Sequence, residues 1–380
     1  MKILYGVQGT GHGHISRARE IVPSLQELAD VDILVSGKHL KMTLDGIPVW
    51  NRTGITMSYD SHGRVSYLRT LAGLRPVQFV RDVLDLDLSV YDVVISDYEP
   101  VSAWAAKKQG VHCIGMSHQA SFLSAKSPRP AKVSLMAEQI LHHFAPVSEP
   151  VGFHFLRYDE FIEPPVIRRE VQELSPVLEQ RVTVYLPSYH HEFLARFFRQ
   201  IPEIEWHIFS PYFDGFDAPA GHGGDGSGGS DSRDVHNGRG DRGGRGYRSG
   251  RGGRGVHNGR GGRGAGERNV VFHPIGNRPF LESMERSLGV LTGGGFESCA
   301  ETMYLGKKLM SIPIQRQYEQ LCNAAALEQL GISVVYEIGD SFPKQLRKWL
   351  FEKDVVTLPE IADTQTILQR LLKHPIRNAS

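Results

Sequence analysis

The sequence predicts an α/β protein built from two successive parallel layers. Three observations carry that reading. A short apolar run, Lys2 to Val7, opens into Gln8-Gly9-Thr10-Gly11-His12-Gly13-His14 and then into a helix-periodic stretch. The same grammar returns later, where Leu288 to Leu291 opens into Thr292-Gly293-Gly294-Gly295-Phe296-Glu297-Ser298-Cys299-Ala300-Glu301. Between them, Phe161-Ile162-Glu163-Pro164-Pro165 breaks regular structure twice. Strand, glycine loop, helix, strand is the order of a parallel sheet covered by helices.

In the first half, Ile15, Ala18, Val22, Leu25 and Leu28 recur at helical spacing. Pro23 predicts a kink or an early break there. Val31 to Val35, Tyr91 to Ser96 and His112 to Met116 read as further strands, with a helix over Val101 to Lys108. Arg64 to Val83 interleaves Arg64, Arg69, Arg75 and Arg81 with Leu68, Leu71, Leu74, Val77, Phe79 and Val80. It reads either as an ordinary helix with its arginines in water, or as a basic apolar surface for a lipid-linked acceptor or an anionic membrane. Pro76 argues against one continuous helix.

The second layer starts at Arg181 to Leu186, followed by Pro187-Ser188-Tyr189-His190-His191 and a helix from Phe193. Glu205 to Ser210 is its next strand. Residues 221–267 hold 20 of the 41 glycines in repeated Arg-Gly units, so no core forms there and disorder is expected. Strands resume at Asn269 to His273, Leu288 to Leu291, Lys308 to Ile312 and Ile332 to Tyr336. Tyr318 to Leu330 is a helix stopped by Gly331, and Pro359 to Leu372 is helical by pattern. The expected domains are 1–163, 164–358 with 221–267 as an insert, and a helix within 359–380 packing back on the first domain. Two such domains imply a ligand cleft between them.

Composition narrows the function. A net charge of +1 over 380 residues gives no sign of a polyanion partner. The insert is locally basic, with nine arginines against five acids, and an RNA-associated reading rests on it alone. Tyr247 is its one aromatic platform, so nucleic acid is not expected. Cys113, Cys299 and Cys322 are odd in number and widely spaced, which fits reduced thiols. No run approaches the ~18 apolar residues of a membrane span, and the start lacks a leader pattern. A cytoplasmic setting is expected, with peripheral contact at the inner membrane face left open.

The glycine loop at 293–295 carries the chemistry. Without side chains it lets a ligand close in, and the following helix presents free N–H groups to an anion. A Walker loop fails because Gly13 is followed by His14-Ile15. A dinucleotide loop fails because the second strand ends in Ser36-Gly37-Lys38, without the ribose acid. A protein-kinase motif set is absent.

What fits is a resemblance. Gly294, Gly295, Glu301, Gly306, Pro313, Glu319-Gln320 and Asn323-Ala324 fall in the order found in the donor half of GT-B glycosyltransferases. The resemblance is to the MurG-like, family 28-type enzymes and related lipid and antibiotic transferases. Gly11-His12-Gly13-His14 with Ala18 resembles their N-terminal Gly-x-Gly-His loop. The fold so implied is two Rossmann-like domains facing across a cleft. The activity implied is transfer of a sugar from a nucleotide-sugar, UDP-linked, to an acceptor hydroxyl with inversion.

The same resemblance implies roles. Glu301 takes the nucleotide ribose, Gly293, Gly294 and Gly295 meet the diphosphate, and Glu319 and Gln320 hold donor-sugar hydroxyls. Asn323 is a positioning residue, and Ser188 stands where relatives contact phosphate. His14 is the loop histidine, beside Gly11, His12 and Gly13. An inverting reaction needs a base; His14 and Asp97 lead, with Glu99 and His118 behind, all near strand ends. A His12–His14 metal pair lacks further ligands, so no metal and no cofactor are expected. An epimerase or hydrolase acting on nucleotide-sugars is the alternative within the same fold.

Overall fold

A computed structural model describes residues 1–9, 12–37, 49–52, 75–213 and 269–373. The expected insert, Gly11 and the stretch 64–74 lie outside those residues. The chain forms two parallel sheets. The first contains β1 (Lys2–Gln8), β2 (Asp30–Ser36), β3 (Val49–Arg52), β4 (Val93–Asp97), β5 (Cys113–Ser117), β6 (Glu149–Phe153) and β7 (Ile162–Glu163). Their order across the sheet is β3-β2-β1-β4-β5-β6-β7. The second contains β8 (Glu179–Tyr185), β9 (Glu205–Phe209), β10 (Val270–His273), β11 (Ser287–Thr292), β12 (Lys308–Ser311) and β13 (Ser333–Val334), in the order β10-β9-β8-β11-β12-β13. Every pairing is parallel, such as Val7 with Asp97 and Tyr185 with Thr292.

The strands are apolar on both faces because helices cover both. Helix α1 (His12–Gln26) lays Ala18, Ile21, Val22 and Leu25 on the first sheet, all buried. Helix α2 (Pro76–Leu84) and helix α3 (Pro100–Gln109) cover the other face, where Leu4, Leu34, Val94, Val101 and Ala105 close a core. Helix α4 (Leu135–His143) is capped by Ser134, and helix α5 (Arg169–Gln172) is a single turn in the linker. On the second sheet lie α6 (His191–Phe198), α7 (Asn277–Arg286), α8 (Phe296–Tyr304), α9 (Tyr318–Gln329) and α10 (Phe342–Glu352). Helix α11 (Thr364–Lys373) returns to pack on α1.

Three expectations change on contact with the structure. Helix α1 begins at His12 and runs through Pro23 to Gln26. Pro23 forfeits the N–H bond to the Arg19 carbonyl, and the helix ends three residues on. Pro76 breaks the stretch as expected: Arg75 is not helical, and Pro76 starts α2, where a missing N–H is harmless. The last strand shrinks to Ser333–Val334, and the tail becomes helical only at Thr364. Helix α10 was not anticipated, though Phe342, Leu346, Trp349 and Leu350 are spaced for one buried face.

The linker is tied down. Glu163 at the end of β7 is 2% exposed and holds Arg157 and, at 2.5 Å, Arg370 of α11. The Ala362 N–H donates to the Pro165 carbonyl at 2.9 Å. The chain therefore crosses between the sheets at two adjacent places.

Candidate active site

In the first sheet, β1 and β4 are neighbours whose connections leave in opposite directions. The crevice at their carboxyl ends is where open α/β sheets take ligands. His14 lies in the first turn of α1 and Asp97 is the last residue of β4. His14 Nδ1 is 2.8 Å from Asp97 Oδ1. Arg17, three residues on and so on the same helix face, donates Nε to Asp97 Oδ2 at 3.0 Å and Nη2 to Oδ1 at 2.6 Å. With its Nδ1–H donated to Asp97, the imidazole keeps Nε2 as its acceptor. Gln119 Nε2 lies 3.5 Å from that atom. Burial would push the Asp97 carboxyl up; the charges of Arg17 and His14 outweigh it and leave the group below its usual value.

Backbone strain sets this corner. Tyr98 has φ of 54°, a left-handed conformation uncommon outside glycine. The turn aims Asp97 at α1 and Glu99 the opposite way. Glu99, a candidate base by sequence, is fully buried and accepts from Val101 N at 2.8 Å and Ser102 N at 2.6 Å. It is the N-cap of α3 and is spent on that helix end.

The second sheet has its own crevice between β8 and β11. The glycine loop leaves β11 there, and the loop holding Ser188 leaves β8 beside it. Gln320 Oε1 accepts from Gly294 N at 3.1 Å and Ile314 N at 2.8 Å. Asn323 Nδ2 donates to Gly294 O at 2.9 Å. A Cβ on Gly294 would stand 2.7 Å from Gln320 O, so only glycine fits. Gln320, expected on the donor sugar, thus turns its carbonyl oxygen to the loop backbone and braces it. Ser188 is half-buried and, among the described residues, makes no hydrogen bond to the cluster.

The other expected residues meet partners from the first half or the linker. Glu301, 3% exposed, is held by Arg168, Nε to Oε1 at 2.5 Å and Nη2 to Oε2 at 2.8 Å. Arg168 Nη1 also donates to Asn277 Oδ1 at 2.7 Å. Burial pushes the Glu301 carboxyl above its usual value, and Arg168 opposes it. Glu319 Oε2 accepts from Gln119 Nε2 at 3.0 Å. Glu297 Oε1 accepts from Arg17 Nη1 at 2.6 Å. Its carboxylate lies against Gly13, where a Cβ would stand 2.4 Å from Glu297 Oε2.

His118 plays another part than the base suggested by its place after a strand. It is 1% exposed, with Nδ1 2.7 Å from Phe153 O and Nε2 2.8 Å from Asn323 Oδ1. Its ring stacks on Phe296, centroids 3.9 Å apart and 2° from parallel. Burial pushes its pKa down, while both ring nitrogens stand against oxygens that only accept. His118 knits the two halves together. The His12 side chain lies outside the described residues. Among the described residues, no group of three or more His, Cys, Asp or Glu could hold a metal ion.

The structure thus joins His14, Asp97, Glu319, Gln320, the glycine loop and Gly13 around one cleft. Arg17, Gln119 and Glu297 belong to the same network, Arg168 pairs with Glu301 beside it, and all four were missed from sequence. Only Arg17 left a trace there, one helical turn beyond His14.

The model of glycosyl transferase family 1 matches residues 1–212 and 259–352. No curated protein matches the chain in sequence. Among solved structures, MurG of Acinetobacter baumannii aligns at 12% identity and a TM-score of 0.50, covering 98% of this chain and 99% of its own. The glycosyltransferase SnogD of Streptomyces nogalater aligns at 15% and 0.51, covering 99% and 96%. A UDP-glucosyltransferase of Polygonum tinctorium, described as capable of glucosylating indoxyl and solved in complex with 3,4-dichloroaniline, aligns at 12% and 0.54, covering 97% and 92%. Identities this low speak for the shared two-sheet fold.

Proposed function

The chain belongs to glycosyl transferase family 1, and from that premise we propose that it transfers a sugar from a UDP-sugar to an acceptor hydroxyl, with inversion and with His14 as the base. One observation carries the residue assignment: the 2.8 Å His14–Asp97 pair, at the crevice of one sheet, is tied through Arg17 to Glu297 on the helix that follows the glycine loop of the other. Asp97 fixes the tautomer that leaves Nε2 free to accept a proton. As His14 takes the acceptor proton, the acceptor oxygen bonds to the anomeric carbon. The bond from that carbon to the diphosphate breaks, and UDP carries away the electron pair. Charge gathering on the diphosphate meets the N–H groups at the start of α8.

The donor's other groups have partners in waiting. The ribose diol takes Glu301 when Arg168 yields it, and the sugar hydroxyls take Glu319. On the acceptor side, a small recess beside Gln119, lined by Ser96, Tyr98, Ser117, Leu123 and Leu141, has room for about one water. Gln119 Oε1 is buried without a hydrogen-bond partner, ready for the acceptor hydroxyl. A lipid-linked acceptor at the inner membrane face would meet α2, where Val77, Val80 and Leu84 stay exposed. Among the described residues, no helix is long and apolar enough to cross a membrane.

Calorimetry with UDP tests the donor half: binding is expected, with at least tenfold loss in Glu301→Ala. If no nucleoside diphosphate binds, the reading is wrong. A screen of nucleotide-sugars for thermal stabilisation then identifies the donor.

A further inference from the structure

We infer that Glu297 is a positioning residue that acts on His14 through Arg17 and Asp97, and does so only when the cleft is shut. The inference rests on His14 being the base. The four groups form one unbroken line: Glu297 to Arg17 at 2.6 Å, Arg17 to Asp97 at 2.6 and 3.0 Å, and Asp97 to His14 at 2.8 Å. Three come from the first sheet's half. Glu297 alone arrives from the second, on the first turn of α8. Arg17 is 3% exposed and Asp97 fully buried, so these charges interact with little screening by water. Gly13 leaves the space in which the Glu297 carboxylate sits.

The line has a consequence for proton affinity. Arg17 grips both oxygens of Asp97 and sets Nη2 3.1 Å from His14 Nδ1, so its charge disfavours the protonated ring by both routes. Glu297 offsets the guanidinium charge and relieves that effect. When the second sheet swings away, Glu297 leaves and Arg17 acts on Asp97 unopposed. The base is strengthened by closure, when donor and acceptor are enclosed together. Other groups face the same ring. Burial lowers the pKa of His118 and raises that of the Tyr5 hydroxyl, which feels the charges of Asp97 and Arg17. Glu319 reaches the ring only through the uncharged Gln119 amide.

Nuclear magnetic resonance of the full chain with labelled histidines, saturated with UDP, tests this without knowledge of the acceptor. Loss of a signal in His14→Asn assigns it among the 17 histidines. In Glu297→Gln the His14 titration midpoint is expected to fall by about 0.5 to 1 pH unit, because a nearby negative charge favours the protonated ring. Glu297→Asp should regain at least half of that fall, and Glu319→Gln should move the midpoint less. Unshifted signals of the other histidines in Glu297→Gln report an intact fold. A midpoint unmoved in Glu297→Gln with UDP bound overturns the inference and leaves the donor reading standing. Failure of the wild-type chain to bind UDP overturns both.

Discussion

His118 and Asn323 meet across the boundary between the two halves, ring nitrogen to amide oxygen at 2.8 Å. The same amide donates backward to Gly294 O at 2.9 Å. One buried side chain therefore holds the glycine loop with one hand and the opposite sheet with the other. Asn323→Ala should strip both bonds and leave two buried groups unpaired. The expected loss is about 1–3 kcal/mol, read as a lower urea midpoint, together with weaker UDP binding. Normal stability in this variant would mean that the two bonds carry no weight.

The glycine loop makes a sharper contrast. Gly294→Ala drives a methyl into Gln320, with backbone at 2.7 Å, and overpacking of that kind costs about 1–3 kcal/mol. Gly295→Ala meets only Ser298 Oγ at 3.6 Å and should fold normally. Thermal melting of the two variants side by side checks the difference.

Arg168 occupies the carboxylate assigned to the ribose. Arg168→Ala should lower the stability of the free chain, by about 3 kcal/mol if Glu301 stays charged. It should also raise affinity for UDP, because the guanidinium no longer competes for both oxygens. Calorimetry decides: weaker binding would make Arg168 part of the ribose site instead of its placeholder.

Asp97→Asn should cut transfer by about 10²–10⁴ while UDP affinity changes only a few-fold. The amide cannot hold His14 in the same tautomer. Release of UDP from the stabilising donor, compared with UDP calorimetry, separates the two effects.

Acid should destabilise the fold in a defined window. Burial lowers the pKa of His154 well below its usual value and that of His207 to about 4. As pH falls below about 6.5, the unfolded chain takes up protons that these rings refuse. Stability is therefore intact above that point and falls as pH drops toward 4. For His207 the loss levels off below its folded pKa. His207→Gln should flatten the decline of Tm between pH 6.5 and 4 relative to wild type; an unchanged slope would contradict the assignment.

Sequence alone reached the two sheets and the spacing of Gly294, Gly295, Glu301 and Asn323, because loop chemistry and periodicity are local properties. It did not reach the partners of those residues. Arg17 meets Glu297 across 280 positions and Arg168 meets Glu301 across 133, distances over which no periodicity speaks. Glu99 was misjudged although its signal was present: an acid directly before Pro100 and a helix pattern marks an N-cap as readily as a base. Phe296 carried no signal for its place against His118, since an apolar residue opening a helix is ordinary until the facing sheet is known. Helix α10 was legible at Phe342, Leu346, Trp349 and Leu350 and was passed over.

The paired crossing at Glu163 and Ala362 bears on how the cleft can open. A body joined by one strand can bend and also twist. Here two strands run side by side, bonded to each other and clasped by Arg157 and Arg370. Twist would shear that bond, while bending leaves it intact. A swing about this crossing would carry Glu297 and Glu319 away from Arg17 and Gln119 together and return them together.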